Sequence, residues 1–365
     1  MIIALFCITT ICFVLIRLLP MVPPEGATAA QTKVIEDIWE ARGYNKPILY
    51  QYGIYLKDIF TEFDFGTSWK IKSTYDATEV FFPRLLPTIL VNLYSLLLSI
   101  PLGLAFGIYA AIKKNKWQDQ VISTMVMLFV SVPSYVYAFM VQYFLYFKLR
   151  WFPATIYSLA DAGGSYLTGK MFYSMIPPIL ALSFGSIAGL TRFTRAELTE
   201  TLTSDYMLLA RTKGLTRSQA TTRHALKNAM VPILPSIISS FIGILGGSMI
   251  IESIFAIPGI GQLYIRAVQQ LDYDIFMLDS IFYTFVSLLA GIVVDISYGF
   301  IDPRIRMGDV EPCIPMNIAI AANVAPIAGG FFRKFNIALK TLNFSTFSLT
   351  VTLFSSTRMV VVLSI

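Results

Sequence analysis

Six apolar runs alternate with polar connections along this 365-residue sequence. A helix rises about 1.5 Å per residue, so runs of this length cross all or most of a hydrocarbon core about 30 Å thick. Unpaired backbone amides are too costly in hydrocarbon for anything but helices or closed barrels, and the alternating polarity of barrel strands is missing. The pattern predicts an all-α, polytopic membrane protein. Its predicted spans are 2–19, 86–111, 121–147, 174–190, 231–251 and 275–300.

The connections between the runs carry a topological signal. Basic residues follow the second run at Lys113, Lys114 and Lys116 and recur through 192–229, which favours a cytoplasmic position for both connections. Residues 20–84 are polar and mixed in charge, so we expect an external loop or small subdomain there. Both ends of the first domain, 1–308, are then cytoplasmic. Within the third run, Pro133 predicts a kinked helix.

Composition supports the membrane interpretation. Hydrophobic residues make up 56% of the chain and charged residues 14%, which leaves too little polar surface for a soluble globule of this size. The net charge of +6 lies mainly in short connections, so it indicates topology rather than nucleic-acid binding. The three cysteines are unevenly placed, and a single histidine, His224, excludes a multi-histidine metal site.

The two ends of the chain allow alternatives. Ala27 and Ala29 resemble the cleavage site of a signal peptide, but the first run lacks the basic residues that precede one, so we expect it to be a span. Residues 309–365 are an unassigned extension, with a seventh span as the alternative.

The longest cytoplasmic connection has helical patterning. Ser204 and Asp205 are expected to cap a helix that starts near Tyr206, and Gly214 is expected to end it in a left-handed conformation. A second helix is expected from about Ser218 through His224 to Ala229, with Pro232 opening the next span. A patterned connection of this length indicates a docking partner.

Three separated motifs carry a family resemblance: DYMLLARTKGLTRSQATTRHALKNAMVPILP at 205–235, IIESIFAIPGIGQL at 250–263 and DPRIR at 302–306. Together they resemble bacterial ABC importer permeases, most closely the dipeptide, oligopeptide and nickel permease family. Gly214 fills the glycine position of the family's cytoplasmic motif and Ala210 its last alanine, whereas Leu208 and Leu209 depart from it. His224 to Lys227 occupy its final element.

The resemblance implies a type I importer permease fold in the bacterial cytoplasmic membrane. It implies two ATPase subunits, a second related permease subunit and an extracytoplasmic substrate-binding protein as partners, and no nucleic acid. The partners would bind ATP and Mg²⁺, this chain would bind no cofactor or metal, and the sequence contains no GxxxxGK[ST] motif. The implied ATPase-coupling residues lie within 192–229: Asp205, Tyr206, Ala210, Arg211, Lys213, Gly214, His224 and Asn228.

An external turn follows the fifth run. Glu252, Pro258, Gly259 and Gly261 are its candidate gate residues, and we expect the Glu252 carboxylate to be interfacial or snorkelled.

Polar residues inside the spans allow further interpretations. Asp279 and Asp295 are expected to pair with Arg192 or Arg195 or to line a cavity, and Asn92 and Ser95 are expected to serve helix packing.

Peptide transport is the expected function, and catalytic residues are not indicated. Import of nickel or another small solute is the nearest alternative. A gradient-driven transporter and a membrane-embedded enzyme are more distant ones, because neither an internal repeat nor a set of converging catalytic groups is visible.

Overall fold

The structure is a computed structural model that describes residues 2–19, 28–301, 348–352 and 360–364. The chain divides into two units, 1–304 and 305–365. Ala27, Cys313 and the DPRIR motif at 302–306 lie outside the described residues. In the second unit, β1 (Ser348–Thr352) and β2 (Val360–Ser364) pair antiparallel, with Ser348 opposite Ser364. The all-α prediction therefore holds for the first unit and not for the extension that the sequence left unassigned.

The regular elements described in the first unit are helical. Two short 3₁₀ turns, Phe82–Arg84 and Ile244–Gly246, and two π turns, Tyr143–Lys148 and Thr221–Ala225, join or extend them. The α-helices are α1 Ile2–Arg17, α2 Ala29–Ala41, α3 Ile48–Glu62, α4 Ala77–Phe81, α5 Leu85–Ile112, α6 Trp117–Ser131, α7 Ser134–Gln142, α8 Gly169–Leu202, α9 Asp205–Thr212, α10 Arg217–Ala220, α11 Leu226–Gly243, α12 Met249–Ile254, α13 Ile260–Gln270 and α14 Tyr273–Ile301.

Four helical stretches in the described part of the chain are long and apolar enough to cross a membrane: Ala77–Ile112, Gly169–Leu202, Arg217–Gly246 and Tyr273–Ile301. A fifth span is possible if Trp117–Ser131 and Ser134–Lys148 count as one, and these two helices meet at an angle of 99°. This angle confirms the predicted kink at Pro133. Its cause is the proline ring, which cannot continue the helix that precedes it. α1 is a shorter apolar helix of 16 residues.

Two helices extend beyond the apolar runs that predict them. α8 continues to Leu202, past the predicted span 174–190, because the residues after the apolar run include neither proline nor glycine. Pro232 lies inside α11 and does not begin a helix, because α10, a π turn and α11 form one continuous stretch from Arg217 to Gly246. Hydropathy locates the hydrocarbon-crossing part of a helix, not its ends.

Small residues let α5 and α8 pack closely. A Cβ added at Gly107 would lie 2.5 Å from Thr194 Cβ. The two backbones are therefore closer at this point than a larger side chain would allow. Ser95 Oγ lies 3.2 Å from Ser183 Oγ, and Thr191 Oγ1 donates to the carbonyl of Gly103 at 3.2 Å. Ser95 is 2% exposed, which agrees with its predicted packing role.

α2 and α3 are the two longer helices of the 28–84 segment, which is called the helical subdomain below. Phe13 of α1 contacts Tyr52 and Tyr55 of α3, with ring centroids 5.0 and 5.2 Å apart. The subdomain is therefore packed on the first apolar helix.

A buried carboxylate attaches the 66–72 loop to the start of α14. Asp272 accepts hydrogen bonds from Ser68 Oγ at 2.7 Å and from the backbone amides of Lys70 and Ile71 at 3.0 Å each. The amide of Trp69 also donates to it, at 3.2 Å. Burial raises the pKa of the Asp272 carboxyl, and these donors offset part of that rise.

Asp274 makes a second attachment two residues later. It accepts from Arg17 Nη2 at 3.1 Å, from Tyr44 Oη at 2.8 Å and from the amide of Thr67 at 3.1 Å. The pair of aspartates thus joins α1, the helical subdomain and α14. Gly66 is required here, because its φ is +97° and an added Cβ would lie 2.5 Å from the Asp274 carboxyl group.

We predict that Asp272→Ala destabilises the attachment of the 66–72 loop to the start of α14. The change removes the acceptor of several buried donors, and leaving buried donors unsatisfied costs about 1–3 kcal/mol each before relaxation. Thermal unfolding in detergent should therefore shift down by several degrees, and limited proteolysis should cleave 28–76 faster. Asp37→Ala, which removes an exposed carboxylate of α2, is the matched control. Identical unfolding of the two variants would contradict the role assigned to Asp272.

Candidate functional site

The 192–229 segment contains the predicted pair of helices. α9 begins at Asp205 and ends at Thr212, and Gly214 has a φ of +90°, so both the helix and its left-handed stop are confirmed. The predicted side-chain cap is wrong, because Ser204 Oγ instead donates to the carbonyl of Thr201 at 2.6 Å. The negative charge of Asp205 in the first turn still stabilises the helix through its interaction with the helix dipole.

The faces of α9 differ in what they contact. Met207 and Ala210 are buried in a cluster with Ala220, Ala225 and Ala229. The small side chain of Ala210 therefore permits close packing inside this chain. The exposed side chains of α9 include Tyr206, Leu208, Leu209 and Arg211, and Lys213 just after the helix is exposed too.

The second helix starts one residue earlier than predicted, with a capping box. Thr216 Oγ1 accepts from the amide of Gln219 at 3.3 Å, and Gln219 Oε1 accepts from the amide of Thr216 at 3.1 Å. His224 lies exposed in the π turn that follows, and Asn228 is exposed on α11. Among the described residues, no group of three or more His, Cys, Asp and Glu side chains is placed to hold a metal.

A bidentate ion pair joins α6 to α8. Arg195 Nε and Nη2 donate to the two oxygens of Asp119 at 2.5 and 2.8 Å, and the amide of Asn115 donates to the same carboxylate at 2.9 Å. The predicted pairing of Arg195 with Asp279 or Asp295 is therefore wrong. Asp279 is fully buried without a hydrogen-bond partner in the described structure, and Asp295 is exposed.

The 257–261 turn is built around Glu252. Its carboxylate is 2% exposed and accepts from Thr88 Oγ1 and from the amide of Gln262, both at 2.9 Å. Thr88 Oγ1 in turn accepts from the amide of Ile260 at 3.0 Å. The expectation of an interfacial carboxylate is wrong, because these donors hold Glu252 inside the protein and join α12, α13 and α5.

The turn's glycines make room for that carboxylate. A Cβ at Gly259 would overlap Thr88 Oγ1 and the Glu252 carboxylate, and one at Gly261 would lie 3.0 Å from Glu252 Oε2. Pro258 stands between Ile257 and Gly259, where the amide of Gly259 donates to the carbonyl of Ile257 at 2.7 Å. Glu252, Gly259 and Gly261 are thus brought together, and the 192–229 residues form a separate site.

Sequence reasoning missed Thr88, Asp119, Asp272 and Asp274. Asp272 and Asp274 carry a usable signal, because two acids at the start of a long apolar run must be solvated by donors or exposed. Thr88 and Asp119 carry none, since their partners are distant in sequence.

These observations define a polytopic helical membrane protein with a polar helical pair between two spans and a buried-glutamate turn after the next. Residues 103–307 match the family described as binding-protein-dependent transport system inner membrane component, and the chain belongs to that family.

Similar proteins cover most of the chain. A dipeptide transport system permease protein of Bacillus subtilis is 32% identical over 304 residues, covering 82% of this chain and 93% of the relative. An oligopeptide transport system permease protein of Salmonella typhimurium is 34% identical over 302 residues, covering 83% and 95%. A solved inward-facing MetNI methionine ABC transporter has a TM-score of 0.45 and 15% identity, with coverage of 60% of this chain and 97% of that chain.

We predict that Gly259→Ala destabilises the 257–261 turn, because the new methyl group displaces the Glu252 carboxylate or the Thr88 hydroxyl. Burying a displaced polar group costs about 1–3 kcal/mol. The midpoint of thermal unfolding of the detergent-purified protein should fall accordingly. Gly243→Ala is the control, since its added Cβ meets nothing within 4 Å. Equal stability of the two variants would refute the steric account.

Proposed function

We propose that this chain is one of two related permease subunits of an ATP-binding cassette importer that moves peptides across the bacterial cytoplasmic membrane. The observation that carries the proposal is the similarity to dipeptide and oligopeptide permease proteins over more than nine-tenths of their length. A permease of this family is a transport component and not an enzyme. ATP and Mg²⁺ are bound, in this proposal, by two separate ATPase subunits, and an extracytoplasmic binding protein delivers the peptide.

The proposed topology has six spans with both ends of the permease domain in the cytoplasm. Four long helices and the bent pair account for five of them. α1 is the sixth: its 16 residues extend about 24 Å, which approaches the thickness of the hydrocarbon core. In this topology the 192–229 segment is cytoplasmic, and the subdomain of α2 and α3 is external, where it is available to the binding protein.

The proposed ATPase contact is the exposed face of α9. Leu208 and Leu209 are 64% and 56% exposed although the helix lies in a polar connection. Two neighbouring exposed leucines flanked by Arg211 and Lys213 make an apolar centre with a basic edge, which suits a groove with an acidic rim. The opposite face of α9 packs against the rest of this chain through the buried cluster around Ala210.

We predict that replacing Leu208 and Leu209 with aspartate releases the ATPase subunits. The charges oppose burial of the α9 face in a groove, and loss of two buried leucines plus the desolvation penalty weakens binding more than tenfold, about 1.4 kcal/mol per factor of ten. Co-purification from membranes with a tag on this chain, followed by ATPase assay, measures the loss. Leu149→Asp, at an exposed leucine outside the 192–229 segment, is the control. Retention of the ATPase subunits by the α9 variant would overturn the proposed docking face.

In this proposal, α8 transmits a displacement of α9 to the membrane-spanning helices. Only Thr203 and Ser204 separate the two helices, and α8 is 34 residues long. Arg195 lies near the same end of α8 and binds Asp119, which belongs to the first turn of α6. A displacement of this end of α8 therefore acts on the bent span through a short, directional pair of hydrogen bonds.

We predict that Asp119→Arg and Arg195→Asp each uncouple ATP hydrolysis from peptide uptake, and that the double exchange recovers a substantial part of the coupling. Like charges face each other in either single variant, while the exchanged pair restores opposite charges. Uptake per ATP hydrolysed in proteoliposomes is the measurement. The control is Arg192→Asp, an exposed neighbour on α8. Failure of the double variant to exceed both single variants would remove the pair from the coupling route.

A further inference from the structure

An open cavity lies between α7 on one side and α12 and α13 on the other, outside the proposed ATPase contact. Its volume is about 620 Å³, and α7, α12 and α13 line it. That volume lies in the range of about 300–1,000 Å³ that is typical of ligand sites.

The two sides of the cavity differ in chemistry. Tyr135 and Phe139, which are 42% and 56% exposed, and Ile250, which is 48% exposed, provide the apolar side. Gln262, Arg266 and Gln269 provide the polar side. These three have helical spacing of four and three residues, so they form one stripe along α13. The opposite face of α13 is buried through Ile260, Leu263 and Ala267.

Arg266 gives the cavity a positive charge without a compensating acid. The ion pairs among the described residues are Arg17 with Asp274, Arg42 with Asp64 and Arg195 with Asp119, and Arg266 belongs to none of them. None of the described residues that line the cavity is an acid.

We propose that this cavity binds the carboxylate end of a peptide during its passage, with Arg266 as the carboxylate-binding residue. The inference rests on the proposed function and names the recognised group. A guanidinium fork binds a carboxylate in two parallel hydrogen bonds, Gln262 and Gln269 side chains suit the peptide amides, and the aromatic side accepts an apolar side chain. Arg266 and Gln269 are exposed, so their side chains are accessible to a ligand in the cavity. A concave site with separate polar and apolar sides fits a short anionic peptide better than it fits a flat partner helix.

Peptide amidation tests the assignment directly. The complete importer, with its ATPase subunits, second permease and binding protein, is reconstituted in proteoliposomes with two tripeptides that differ only in a free or an amidated carboxyl terminus. For each peptide, uptake by Arg266→Gln and Arg266→Lys is divided by uptake by the native complex. Arg192→Gln, an exposed arginine of α8 outside the cavity, is the control.

We expect Arg266→Gln to reduce uptake of the free-acid peptide about tenfold, as loss of one charge-assisted bidentate contact implies, and to leave the ratio for the amidated peptide within about twofold. Arg266→Lys should retain part of the free-acid uptake. An equal loss for both peptides would assign Arg266 to contact with the second permease subunit and overturn the inference, and unchanged uptake of both would also overturn it.

Photolabelling provides a readout that does not depend on the amidated peptide being delivered by the binding protein. A free-acid tripeptide with a photoreactive phenylalanine should label α7 or α13 in the reconstituted complex, and less so with Arg266→Gln. Labelling confined to other helices would overturn the site while leaving peptide transport intact. A native complex that takes up neither tripeptide would instead refute the proposed function itself.

Discussion

The fold depends on carboxylates that are buried and solvated by the protein's own donors. A buried anion is tolerated only where hydrogen-bond donors replace its water, and each such site holds together the elements that supply them. Asp272 and Asp274 join α1, the helical subdomain and α14; Glu252 joins α5, α12 and α13. Asp119 joins α6 to α8. Apolar packing in a bilayer is weakly directional, so these polar joints fix which helix ends lie together.

Four of the six predicted spans overlap described helices that are long and apolar enough to cross a membrane, and the ends of those helices are predicted poorly. Hydropathy responds to the surrounding hydrocarbon, and proline acts on its own helix, so the runs and the bend at Pro133 are readable locally. The end of α8 cannot be predicted in this way, because a helix can pass from apolar to polar sequence without any change in its backbone conformation. Thr88 and Glu252 are 164 residues apart, and nothing local in either segment indicates the other.

The helical pair of the 192–229 segment shows a different limit. Its existence and its stop at Gly214 follow from local rules, because a left-handed residue is best supplied by glycine. The direction of each side chain does not, since it depends on how α9 packs against α10 and α11. Ala210 is consequently buried in its own chain, while the two leucines that depart from the family motif are exposed. A motif match locates the segment, and only the packing shows which face is available to a partner.

The two sides of the cavity are held by different joints. α12 and α13 are fixed to α5 through Glu252 and Thr88, so the Arg266 side moves with the start of α5. α7 follows the bend at Pro133 and continues from α6, whose first turn is bound to α8 by Arg195. α5, α7, α8 and α12 also share one buried apolar cluster, so a displacement of α8 acts on both sides of the cavity. Because α9 follows α8 directly, this arrangement connects the proposed ATPase contact to the proposed peptide contact without requiring the glutamate joint to open.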